Sequence, residues 1–117
     1  MPFTDTAMVD AANALIAVAK YAQLHSAAAG TSGTSNVTTA ARLPITWGTP
    51  TGSGSFDIAS PLAFTGGAAN GPVYSVTLWT ASTGGTFLGE FVLSGDTAFN
   101  ASGDYTVTSI AQSGSSS

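Results

Sequence analysis

The sequence predicts a mainly β protein, an antiparallel β-sandwich or small β-barrel with one N-terminal helix, and three observations carry that expectation. Short runs of β-branched and aromatic residues recur along the chain between turns made of Gly, Ser and Thr. The one convincing helical run lies at the N-terminus, and no helix stands between later strands, as a parallel sheet would require. The stretch Pro72 to Ser94 holds two strand-forming runs around a glycine turn and reads as a β-hairpin. At 117 residues the chain fits a single domain, with a helix over 4–20, a β-domain over 21–111 and a tail over 112–117.

The helix follows from Thr4 or Asp5 as N-cap and the alanine-rich run Ala7, Met8, Ala11, Ala12, Ala14, Leu15, Ala17 and Ala19, with acids near the positive end of the dipole. Met8 and Leu15, with Ala11, Ala12 and Ala19, form a weak apolar stripe. Such a helix packs on its own domain or serves as a docking surface. Lys20 to His25 alternates and predicts a strand leading directly out of the helix, and Ala27 to Asn36 is small, polar and glycine-containing, the composition of a surface loop.

Leu43, Ile45 and Trp47 recur every second residue, and Pro44 argues for an edge strand or a bulge. Thr49 to Ser55 reads as a turn. Phe56, Ile58, Leu62 and Phe64 suggest a strand interrupted at Ser60-Pro61, and Gly66 to Gly71 separates it from the hairpin. In the first arm Tyr74, Val76 and Leu78 share one face and are the core candidates, while Val73, Ser75, Thr77 and Trp79 share the other. Trp79 is thereby expected on an outward surface, facing a second layer, a neighbouring subunit or a ligand. After Leu93 the chain turns at Ser94-Gly95-Asp96, anchors at Phe99, turns again at Ser102-Gly103-Asp104 and forms a last strand in which Tyr105, Val107 and Ser109 alternate with Thr106, Thr108 and Ile110. Gln112 to Ser117 has nothing to bury.

Only 7% of residues are charged, against about a quarter in an average protein, so Gly, Ser, Thr and Ala occupy positions that Lys and Glu usually fill. Either the exterior is neutral and hydroxyl-rich or much of it is covered by other chains. Lys20 and Arg42 face six acids, giving a net charge of −4, and two isolated cations cannot form a phosphate-binding surface, so nucleic acid is disfavoured as a partner. Ala11 to Ala19 is too short to cross a membrane and lacks the basic flank of a signal peptide. With no cysteine there is no disulfide framework and no thiolate site.

No catalytic set, cofactor site or metal site is expected. His25 is the sole histidine and has no local nucleophile or orienting acid, so a ring bonded at a sheet edge or loop is the simpler role. No glycine-framed nucleophile, phosphate loop or paired-histidine motif occurs. Asp57, Asp96 and Asp104 lie beside turns, where Asp commonly bonds its own backbone. Glu90 faces solvent or is buried against a partner such as Arg42. Asn36-Val37-Thr38 and Asn100-Ala101-Ser102 match the glycosylation triplet without a secretory signal. Trp47, Trp79 and Tyr74 suit either packing or an aromatic platform for a sugar. The residues expected at a partner interface are Met8, Leu15, Trp47, Trp79 and Phe87.

The motifs Leu24-His25-Ser26, Gly30 to Val37, Pro44-Ile45-Thr46-Trp47-Gly48, Leu78-Trp79-Thr80-Ala81, Gly84 to Gly89 and Phe99 to Val107 follow one another in an order and spacing that resembles a family. It is the small virion proteins of actinobacterial tailed phages, labelled tail-fibre-like or minor tail proteins, with related β-domains that decorate capsids. The chain departs from the family pattern at Ala27-Ala28-Ala29, where an Asp-Pro turn is usual. The resemblance implies a non-enzymatic structural protein on the virion exterior, made in the bacterial host cytoplasm and present in several or many copies. Its implied partners are the major capsid protein or tail proteins and further copies of itself. A host-surface glycan is the alternative partner, and neither nucleic acid nor a membrane is expected.

Overall fold

The structure, a computed structural model, describes residues 4–51, 54–93 and 97–110. Among the described residues six strands and one helix follow in the order α1 (Asp5–Val18), β1 (Tyr21–His25), β2 (Leu43–Pro44), β3 (Leu62–Phe64), β4 (Ser75–Trp79), β5 (Phe87–Val92) and β6 (Tyr105–Val107). All pairings are antiparallel: a four-stranded sheet in the order β2-β1-β4-β5 and a two-stranded sheet β3-β6. The mainly β class with one N-terminal helix is therefore present. Among the described residues the sheets do not close into a barrel.

One core joins the two sheets. Ala22, Leu24, Val76 and Leu78 from the larger sheet meet Leu62, Phe64, Tyr105 and Val107 from the smaller, with Phe99 at one end, its ring 6.3 Å from that of Tyr105. Leu62-Ala63-Phe64 and Tyr105-Thr106-Val107 each alternate buried, exposed, buried, the pattern of strands with one face on a core and one in water.

Thr4 caps the helix, its Oγ1 accepting the Ala7 N–H at 3.1 Å. Ala12 and Ala19 are buried and Leu15 half-buried against the core, whereas Ala11 is exposed. Of the alanines in α1 only Ala12 is buried, so the helix meets its own domain through Ala12 and Leu15 and through Ala19 just beyond its end, not along an alanine face. The apolar stripe is narrower than the sequence suggests because Ala11 points away. No helix among the described residues is long and apolar enough to cross a membrane.

The hairpin forms as expected, with Gly84 and Gly85 at φ +63° and +77° in its turn and a bulge between Leu78 and Trp79. Two expectations about its faces fail. Val73 is 1% exposed and belongs to the main core, while Tyr74 is 40% exposed. The cause lies at Pro72-Val73, where Val73 donates its N–H to Thr97 O and Pro72 bridges Ala98, so the chain before Tyr74 pairs outside the four-stranded sheet, while Tyr74 itself still bonds His25 O and Leu93 N–H. Trp79 lies on the face opposite the core as expected, yet it is only 5% exposed, because the Arg42 guanidinium stacks over its ring and Phe87 packs beside it.

The strand expected over Leu43 to Trp47 shortens to Leu43–Pro44, with Ile45 N–H donated to Lys20 O and Trp47 bridging Ile58. Pro44 does sit on an edge strand. The last strand stops at Val107 because Ile110, buried in the core, is drawn to Asp57 instead. The turn at Ser94-Gly95-Asp96 and the tail Gln112 to Ser117 lie outside the described residues.

Candidate functional site

Antiparallel partners share a face, so the register places Tyr21, Gln23 and His25 of β1 on the same side as Trp79, Thr77 and Ser75 of β4 and Phe87, Glu90 and Val92 of β5. This is the face opposite the core. Of the side chains singled out in the sequence it carries His25, Glu90, Trp79 and Phe87.

At its centre is a chain of hydrogen bonds. Trp79 Nε1–H donates to Thr77 Oγ1 at 2.8 Å, Thr77 Oγ1 lies 2.8 Å from His25 Nε2, and His25 Nδ1 lies 2.8 Å from Ser35 O. A carbonyl oxygen only accepts, so Nδ1 carries a proton; in the neutral ring Nε2 then accepts from the Thr77 hydroxyl. The Thr77 hydroxyl accepts from Trp79 and donates to His25, so every ring nitrogen in the chain of bonds is paired. His25, Ser75 and Thr77 are wholly buried, and among the described residues no buried side-chain polar atom lacks a partner.

Residues 26–42 form the strap that encloses this network. Glu90 Oε2 accepts the Ala29 N–H at 2.9 Å and the Ser75 hydroxyl. Asn36, with φ +56°, donates its side-chain amide to Ala28 O, closing the strap on itself. Gly33 lies against Phe87 so closely that a Cβ there would fall 2.5 Å from the ring, which explains a glycine at that point. Arg42 fastens the far end: its guanidinium stacks 4.0 Å from the Trp79 ring centroid and donates to Gln23 Oε1, Ala81 O and Gly84 O. Partial burial lowers the guanidinium's pKa. Arg42 is thus taken up by the hairpin turn, and Glu90 bonds the strap rather than Arg42.

The expected interface residues do not come together. Trp79 is buried beneath Arg42 and Phe87, the two rings 5.5 Å apart. Phe87 is half-buried on Trp79. Trp47 is half-buried near α1, where Nε1–H donates to Ala19 O at 2.7 Å and the ring meets Phe56 edge-on at 5.2 Å. Met8 and Leu15 are half-buried on α1, Met8 against the turn at Gly54. Of the three rings proposed as a sugar platform, only Tyr74 is exposed.

Asp57 ties the segment before β3 to the chain just after β6. Oδ1 accepts the N–H groups of Ile58 at 2.7 Å and Ile110 at 2.6 Å, and Oδ2 accepts the Ser109 hydroxyl. Desolvation raises its pKa, but the hydrogen bonds from Ser109, Ile110 and Ile58 together outweigh it and hold the carboxyl below its ordinary value. The local role expected for a turn aspartate is met by the Ile58 bond, with two long-range bonds added. At the turn Ser102-Gly103-Asp104, Asn100 Oδ1 accepts the N–H groups of Ser102 and Asp104. Asp96 lies outside the described residues.

Chemically, the polar face is a closed connection between strap and sheet. His25 has both ring nitrogens bonded and no exposed surface, so a substrate reaches it only if the strap leaves. Sequence reasoning missed Thr77 as the hub; the available signal was a Thr at a register position between a His and a Trp, legible only once the strand pairing is known. Comparison with protein-family models, with curated proteins and with solved structures finds no match. What the fold and site define is a small two-layered β protein with a strapped polar face.

Proposed function

We propose that this protein is a non-enzymatic structural component of a phage virion, carried on the particle exterior in several or many copies as a capsid decoration or minor tail protein. One observation supports the non-enzymatic part above the others: His25, Arg42, Glu90 and Asp57 each bond strap, turn or strand of their own fold. The virion part rests on the family resemblance of the motifs around Leu24, Trp47, Trp79 and Phe99. The low charge supports both, since copies that pack against a shell cover surface that a free monomer must solvate.

The mechanism is cementing. Each copy that touches two or more shell or tail subunits buries apolar area only in the assembled state, and mass action then favours assembly. Particles with and without the protein, heated in parallel, test this: particles lacking it open at lower temperature, and the protein sediments with intact particles. Equal thermal stability together with no sedimentation overturns the reading.

A further inference from the structure

The two edges of the four-stranded sheet are built differently. β2, at one edge, is two residues long and contains Pro44, two devices that prevent a sheet from pairing with another chain. β5, at the other, is six residues long, Phe87-Leu88-Gly89-Glu90-Phe91-Val92, with no proline and no basic residue. Among the described residues it pairs with β4 alone, so alternate N–H and C=O groups on its outer side remain available for a ladder.

Glu90 is the only charge on this strand, and its carboxylate is turned onto Ser75 and Ala29. It therefore does not guard the edge, and two such strands brought together meet no opposed free charge. Val92, 62% exposed, is the most exposed of the large apolar side chains described, and lies at the end of the same strand. Arg42 bonds to Ala81 O and Gly84 O hold the hairpin turn, so the edge is presented as a formed strand.

We infer that β5 is a self-association edge, at which a second copy of this chain adds its own β5 antiparallel across a two-fold axis to make a continuous eight-stranded sheet from two four-stranded ones. The occupant is a second copy because a two-fold axis sets identical strands antiparallel to each other, and with Glu90 turned inward neither copy brings a free charge to the seam. The inference deepens the multi-copy reading above, but it is a property of the isolated protein and is tested without particles.

Sedimentation equilibrium across a concentration series is expected to give twice the monomer mass for the wild type and the monomer mass for Val92→Lys, whose new charge stands on the edge. Hydrogen exchange read on β4 amides reports that the variant is folded. In the wild type, exchange of β5 amides is expected to slow as concentration rises, an outcome that needs no variant. A monomer at every concentration, a dimer that Val92→Lys leaves intact, or β5 protection independent of concentration overturns the inference.

Discussion

His25 and Thr77, 52 residues apart in the chain, meet at 2.8 Å on adjacent strands, and their bond joins the strap's anchor at Ser35 to the indole of Trp79. The relationship makes Thr77 Oγ1 the single atom on which two ring nitrogens depend. Thr77→Val, which keeps the shape and removes the hydroxyl, leaves Trp79 Nε1–H and His25 Nε2 buried without this partner. The expected loss is about 2–4 kcal/mol by urea denaturation, against less than about 1 kcal/mol for Thr77→Ser. Equal midpoints for the two variants would show that the network contributes nothing.

Arg42 tests the other fastening of the strap. Arg42→Lys retains a charge but loses the planar fork that bonds Ala81 O and Gly84 O while stacking on Trp79. A loss of about 1–2 kcal/mol is expected, with a shift in tryptophan emission as water reaches Trp79. Unchanged emission would mean that the indole is covered without the guanidinium.

Two glycines of the same backbone class separate strain from space. Gly33 and Gly84 have φ +71° and +63°, but a Cβ at Gly33 meets the Phe87 ring and one at Gly84 meets nothing within 4 Å. Gly84→Ala is expected to cost about 1 kcal/mol from conformation alone. Gly33→Ala adds the displacement of Phe87 or the strap and is expected to cost about 2–3 kcal/mol. Thermal melts of both variants check the order, and a reversed order would place the strap elsewhere.

Asp57 gives a pH dependence whose sign is fixed. Its folded-state pKa is depressed from the model-compound value of 3.8, so the folded protein holds its proton less tightly than the unfolded chain. The stability it contributes is fully present above the unfolded pKa and is lost as pH falls through the folded one. Urea midpoints measured from neutral pH down through this window should fall more steeply for the wild type than for Asp57→Asn. Parallel slopes would contradict the assigned bonds to Ile58, Ile110 and Ser109.

Much of this fold is legible in the sequence. The helix cap at Thr4, the strand over Tyr21 to His25, the edge position of Pro44 and the glycine turn of the hairpin follow from local chemistry that acts within a few residues. The site is less legible. The expectation of an exposed Trp79 rests on alternation within one strand, and alternation assigns a face without saying what covers it. The cover is residues 26–42, whose small polar composition looks like a solvent loop but is fixed by bonds to Glu90 and Gly66 far away in sequence and to His25 at its own start. Tyr74 and Val73 change places for a related reason, since pairing with Thr97 outweighs the local pattern.

The count of copies per particle tests the central claim most directly, by quantitative mass spectrometry of purified virions against the major capsid protein. The account predicts a fixed ratio in washed particles, on the order of one copy per capsid subunit or per capsomer for a decoration protein and far fewer for a tail protein. Absence from washed particles, with the protein left in the lysate, would contradict it.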